Sequence, residues 1–164
     1  MTTKNQTILS KDIENKRIKV VREFAAPVKD VWEAWTDASL LDQWWAPKPW
    51  KAITKSMDFR EGGHWLYYMS GPDGEQIWNR VDFITIDAQK SLITDSYFCD
   101  EAGNNNFMIP VMHWKNQFHT TAEGSKVEME ITFTEAGGIE KIVEMGFEEG
   151  FTAALENLDE ILEK

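Results

Sequence analysis

The chain has 164 residues and a formal net charge of −11, with 42% hydrophobic and 27% charged residues, which is typical of one ordinary globular domain. This acidic balance argues against nucleic acid and anionic membrane surfaces as partners, because contacts with phosphates require clustered Lys and Arg. The sequence has no run of about 20 apolar residues, and its single Cys99 permits no internal disulfide. We therefore expect a cytoplasmic protein without a membrane span.

The first 24 residues change from a polar to an alternating pattern. Residues 1–16 are polar and charged, and we expect them to form a leader that is frayed or loosely attached. Residues 17–164 are expected to form a single domain. Within it, residues 17–24 read RIKVVREF and predict a first strand, although the alternation is imperfect.

Two short helices are predicted directly after this strand. Pro27 suits the first turn of a helix, and residues 28–35 place Val and Trp side chains on one face at helical spacing. Asp37 or Ser39 can cap a second helix, which ends before Pro47.

The apolar pattern changes to a period of two after residue 50, and short polar turns separate the runs. Six further strands are predicted, at residues 52–59, 64–70, 77–86, 92–99, 112–121 and 126–134. The last run has one polar and one apolar face, which is typical of an antiparallel sheet with one face in solvent.

A single long helix is predicted over residues 139–162, where apolar residues recur at helical spacing. A helix of this length, about 35 Å, needs a broad apolar surface to pack on. Gly146, Gly150 and Ala154 form a row of small residues on or beside its buried face. Such a row predicts either the roof of a cavity or a close contact between the helix and the sheet.

The predicted order is therefore β-α-α-β-β-β-β-β-β-α, an α+β fold with a curved antiparallel sheet of seven strands around the terminal helix. One helix cannot fill the concave side of such a sheet, so we expect an apolar cavity between the sheet and the helix. The aromatic and methionine side chains on the inner faces of the strands would also suit a packed core. The predicted lining consists of Trp35, Trp45, Trp65, Tyr67, Met69, Met112, Trp114, Asn116, Phe118, Met129, Ile131, Phe147, Gly150, Phe151 and Ala154.

The sequence contains no G-x-S-x-G elbow, P-loop or dinucleotide-binding motif, so no catalytic residue, metal or cofactor is predicted. The three histidines, at positions 64, 113 and 119, fall opposite the inward-facing residues of their strands and lack the spacing of a metal site. Cys99 is interpreted as a small packed side chain.

Inward polar side chains are scarce and are therefore informative. Tyr67 and Asn116 share the inward parity of their strands, where each could orient a ligand or bond to the protein itself. The face that carries Trp78 and Arg80 is not assigned by the sequence. An inward Arg80 would bind a carboxylate.

Four stretches resemble one family in both order and spacing. They are residues 22–32 (REFAAPVKDVW), 41–47 (LDQWWAP), 59–74 (beginning FREGGHW) and 146–158 (containing GFEEG and LENL). Together they resemble the SRPBCC (START-like, helix-grip) superfamily, and within it the family of the activator of Hsp-ninety ATPase, over residues 17–163. The resemblance implies a helix-grip fold with a deep cavity, in which members elsewhere in the superfamily bind lipids, sterols, hormones or polyketides.

Three functions are consistent with these observations. The first is non-enzymatic binding of a small apolar or aromatic ligand by a monomer or homodimer. The second is an interaction module similar to the chaperone ATPase activators, acting through its outer surface. The third is an enzyme of the cyclase or hydrolase type on an apolar substrate, using Tyr67, Asn116 or a histidine as acid or base.

Overall fold

The computed structural model describes residues 7–163, which form one eight-stranded antiparallel sheet and four helices. The strands are β1 (Thr7–Asp12), β2 (Arg17–Phe24), β3 (Lys51–Met57), β4 (His64–Ser70), β5 (Gln76–Asp87), β6 (Ser91–Phe98), β7 (Met112–Thr121) and β8 (Gly124–Thr132). The helices are α1 (Val28–Thr36), α2 (Ala38–Trp44), α3 (Gly138–Glu144) and α4 (Phe147–Leu162). Within this part of the chain, no helix has both the length and the apolar character needed to cross a membrane.

The strand order across the sheet is β1-β2-β8-β7-β6-β5-β4-β3. The last strand therefore returns to pair with β2, while β3 to β8 follow one another as a meander. Register shifts at Thr54/Ser56 in β3 and at Phe83/Thr85 in β5 mark bulges, which bend the strands and increase the twist. The α+β helix-grip fold predicted from the sequence is confirmed.

The sheet has one strand more than the seven predicted. The additional strand, β1, lies where the sequence predicts a loosely attached leader. It pairs with β2 along its whole length, and Leu9 packs against the core. That prediction is therefore wrong for residues 7–12, where backbone pairing stabilises a mainly polar segment. Residues 1–6 of the same leader lie outside the described part of the chain.

The two short helices after β2 are confirmed, and their ends are fixed by hydrogen bonds. Asp37 caps α2, because its carboxylate accepts hydrogen bonds from the backbone N–H groups of Ser39 at 2.8 Å and Leu40 at 3.4 Å. The indole of Trp44 donates to the carbonyl of Ala34 at 2.8 Å, which ties α2 to α1.

The terminal helical segment is broken into α3 and α4 rather than continuous. Gly146 has φ 84° and ψ 25°, a left-handed conformation that only glycine adopts without a Cβ penalty. The backbone N–H of Met145 closes the last turn of α3 by bonding to the carbonyl of Lys141 at 3.2 Å. The prediction of one helix over residues 139–162 is thus wrong at this point.

The packed core lies along β2, β8 and the second half of α4. Ile18, Val20, Leu155 and Leu158 are completely buried. The inner faces of β4, β5, β6 and β7 instead border an open space that the first half of α4 does not fill.

Candidate functional site

A cavity of about 380 Å3 lies between the inner faces of β4 to β7 and the helical segments α2, α3 and α4. Its size falls in the range of small-molecule pockets, about 300–1,000 Å3. Among the lining residues, Met145 is 51% exposed and Ile77 is 37% exposed, so they mark the side that opens to solvent.

Eleven of the fifteen residues predicted to line a cavity border this one. They are Trp35, Trp45, Trp65, Tyr67, Met69, Met112, Trp114, Asn116, Phe147, Gly150 and Phe151.

The other four predicted lining residues belong to the packed core instead, which corrects the prediction for them. Phe118 packs edge-on against Trp32 and Trp35, with ring centroids 5.0 and 5.7 Å apart. Met129 and Ile131 on β8 are completely buried, and Ala154 is 1% exposed in the tightly packed half of α4.

Gly146, one of the small residues expected at a cavity roof or a close helix–sheet contact, borders the cavity as well. Thirteen further residues line the cavity without having been predicted. They are Leu41, Pro47, Trp50, Ile77, Asn79, Val81, Phe83, Leu92, Thr94, Ser96, Phe98, Ile142 and Met145. Most come from β5 and β6. The period-two spacing of Val81 and Phe83 is the signal that could have identified the inward face of β5, and with it the inward position of Asn79.

Aromatic rings form much of the wall, with Trp45 at their centre. Its ring contacts those of Trp65 at 5.7 Å, Phe151 at 5.9 Å and Trp114 at 6.2 Å. Trp65 in turn stacks on Tyr67 with centroids 4.0 Å apart. Rings that contact each other edge-on and by stacking are favourable pairs and form a stiff apolar surface.

The indole N–H groups of three cavity tryptophans bond within the wall. Trp45 donates to the phenol oxygen of Tyr67 at 2.8 Å. Trp65 donates to the hydroxyl of Thr54 at 2.9 Å, and Trp114 donates to that of Ser96 at 2.9 Å. These bonds fix the orientation of the rings, so the wall is preorganised rather than assembled by a ligand.

Among residues 7–163, no Asp, Glu, Lys, Arg or His side chain lines the cavity. Arg80 lies on the outer face of β5, where its Nε bonds to Asp82 at 2.7 Å, and the Tyr97 hydroxyl donates to the same carboxylate at 3.0 Å. Burial raises the pKa of the Tyr67 phenol, although the hydrogen bond from Trp45 opposes this shift. The cavity therefore presents neutral groups only.

Asn116 lies deep in this neutral surface. It is 3% exposed, and its Oδ1 has no hydrogen-bond partner among residues 7–163. A buried amide normally has a partner, so this side chain is a candidate for contact with a ligand.

The histidines and the cysteine do not line the cavity. His113 and His119 face outward, where they lie 2.6 Å from Asp95 and 2.9 Å from Glu128. Burial raises the pKa of the Cys99 thiol to about 11, so this side chain is a neutral thiol rather than a nucleophile near neutral pH. Across residues 7–163, no three His, Cys, Asp or Glu side chains are grouped to hold a metal ion.

Comparison with known proteins identifies the family. The model of the family described as "Activator of Hsp90 ATPase homolog 1-like protein" matches residues 25–163. The chain belongs to this family. No curated protein matches it.

Several bacterial proteins of known structure resemble this member of the Activator of Hsp90 ATPase homolog 1-like family. A protein from Arthrobacter aurescens is 35% identical with a TM-score of 0.89, over 95% of this chain and 91% of its own. A protein from Mycobacterium smegmatis is 28% identical with a TM-score of 0.87, and the match covers 96% of this chain and 97% of that protein. A protein from Nitrosomonas europaea is 29% identical with a TM-score of 0.78, and the match covers 91% of this chain and 95% of that protein. The family and the fold are those of an SRPBCC-type ligand-binding or activator-like domain.

Proposed function

We propose that this protein binds a small apolar or aromatic ligand, without catalysis, in the cavity between the sheet and the segments α3 and α4. The observation that carries the proposal is the cavity of about 380 Å3 with its preorganised aromatic wall. An open apolar space of this size is costly to maintain unless a ligand fills it, because protein interiors are otherwise close-packed. We also propose a cytoplasmic location, since the chain's single cysteine forms no internal disulfide.

Gly150 offers the sharpest way to test this proposal. It borders the cavity in the first half of α4, and a Cβ placed on it would meet only the Pro47 ring, at 3.7 Å. The helix backbone therefore accepts a side chain at this position without strain. Any bulk beyond Cβ has to occupy space that a ligand would use.

We expect Gly150→Leu to weaken binding of the neutral fluorescent dye N-phenylnaphthylamine by at least about tenfold, because overpacking a filled site costs more than 1 kcal/mol. Dye titration followed by fluorescence measures the affinity. Gly150→Ala adds little volume and should retain most of the binding. Ala153→Leu adds bulk on α4 at a residue that does not border the cavity, so it should bind as the wild type does.

Unchanged dye affinity in Gly150→Leu would refute binding in this cavity. The name of the family favours a second candidate, an activator-like interaction through the outer surface. In that case, stimulation of a chaperone ATPase by the wild type would persist in Gly150→Leu, because the outer surface is unchanged.

A further inference from the structure

The absence of charge restricts what the cavity can hold. In the described part of the chain, none of the 25 lining residues carries a charged side chain. Arg80, one residue from Asn79, points to the opposite face of the sheet and is paired with Asp82. A carboxylate, phosphate or ammonium group that entered would lose its hydration without meeting an opposite charge, which is strongly unfavourable.

The polar groups that do line the cavity are hydroxyls and amides from four neighbouring strands. Tyr67 of β4 lies directly opposite Asn79 of β5 in the sheet register. Thr94 and Ser96 follow on β6, and Asn116 lies on β7. A band of neutral hydrogen-bonding groups thus crosses an otherwise apolar floor.

Asn116 differs from Asn79 and Ser96 in this band. The Asn79 amide donates to the carbonyl of Ile77 at 3.2 Å, and the Ser96 hydroxyl accepts from Trp114 at 2.9 Å. The buried Asn116 Oδ1 has no partner in residues 7–163. An amide oxygen accepts hydrogen bonds, so the group that completes it is a hydrogen-bond donor.

We infer that the ligand of this cavity is a neutral aromatic molecule bearing a hydroxyl group that hydrogen-bonds to the Asn116 amide. The inference rests on the proposed function and adds the polarity of the ligand to it. A hydroxyl can donate to the Asn116 Oδ1 while keeping the ligand uncharged. An aromatic acid of the same shape is rejected because the cavity has no opposite charge.

Three probes of one shape test the inference: biphenyl, para-hydroxybiphenyl and biphenyl-para-carboxylate. Calorimetric titration near neutral pH should show the hydroxyl compound binding about tenfold more tightly than biphenyl, as one additional buried hydrogen bond provides. The carboxylate should bind at least about a hundredfold more weakly than the hydroxyl compound.

Asn116→Leu should bring the affinities of the two neutral probes to within about twofold of each other, because the amide that distinguishes them is gone. Gln117→Leu is the matched control, since Gln117 is exposed on the opposite face of the same strand. It should retain the preference for the hydroxyl compound. The order of the affinities of the wild type for the three probes tests the inference even if Asn116→Leu does not fold.

Equal binding of biphenyl and para-hydroxybiphenyl by the wild type would overturn the inference, as would a hydroxyl preference that survives in Asn116→Leu. Tight binding of the carboxylate would overturn it as well. In each of these cases the proposed function stands, because an aromatic probe still binds. If none of the three probes binds, the proposed function itself fails.

Discussion

The phenol oxygen of Tyr67 connects two elements that build the cavity wall. It accepts the hydrogen bond of Trp45, which directly follows α2, while Tyr67 itself belongs to β4. The Tyr67 ring is 4% exposed and stacks on Trp65. This single bond therefore fixes the central ring of the wall relative to the sheet.

We expect Tyr67→Phe to lower the free energy of unfolding by about 1–3 kcal/mol, because the Trp45 indole loses its partner in a largely apolar environment. Urea unfolding followed by tryptophan fluorescence measures the change. Tyr68→Phe is the control. The Tyr68 ring lies on the opposite face of the sheet against Trp78, with ring centroids 4.7 Å apart. Removing its hydroxyl should change the free energy of unfolding by less than about 0.5 kcal/mol. Equal effects of the two substitutions would show that the Trp45 bond contributes nothing.

At the scale of elements, alternation in the sequence identifies the inward faces of β4 and β7, but it does not locate the cavity along a strand. On β7, Trp114 and Asn116 border the cavity, whereas Phe118, on the same face, packs under α1. Parity cannot separate these residues, because the difference is set by where the helices cover the sheet. Strand β1 was missed for a related reason, since its stability comes from backbone pairing with β2 rather than from apolar side chains.

The break between α3 and α4 was also beyond the sequence pattern. Apolar residues keep helical spacing across Met145 and Gly146, so periodicity predicts continuity. Gly146 and Gly150 look alike in the sequence. Only the backbone distinguishes them, because Gly146 has a positive φ of 84° while Gly150 lies inside α4.

This difference predicts opposite effects of the same substitution. Gly146→Ala should destabilise the protein by about 1–2 kcal/mol, since alanine is strained in the left-handed region. Gly150→Ala should stabilise it by about 0.5–1 kcal/mol, the usual gain within a helix. Chemical denaturation of the two variants measures both changes. A stabilised Gly146→Ala would indicate one continuous helix instead.

At the scale of the whole molecule, Arg22 joins the first strand to the last helix. Its guanidinium, 3% exposed on the inner face of β2, forms an ion pair with Asp159 near the end of α4 and donates to the hydroxyl of Thr7 on β1. It also lies 5.5 Å from the centre of the Phe24 ring. These contacts tie β1, β2 and α4 together in the packed half of the fold.

Asp159 and its neighbour Glu160 allow the contribution of this buried pair to be measured. Asp159→Asn should lower the free energy of unfolding by on the order of 3 kcal/mol, because the Arg22 charge stays buried without its counter-ion. Glu160 pairs with Lys48 in solvent, with side chains 65% and 70% exposed, so Glu160→Gln should cost less than about 1 kcal/mol.

Both substitutions remove one negative charge from the last turns of α4, so any effect of the helix dipole is similar for the two. Their difference in urea denaturation therefore reports the contribution of the buried contacts of Asp159. The double variant Arg22→Met with Asp159→Leu should recover much of the loss, because an apolar pair of similar volume avoids burying charge. Equal small losses for Asp159→Asn and Glu160→Gln would mean that the apolar core alone, and not this ion pair, holds α4 on the sheet.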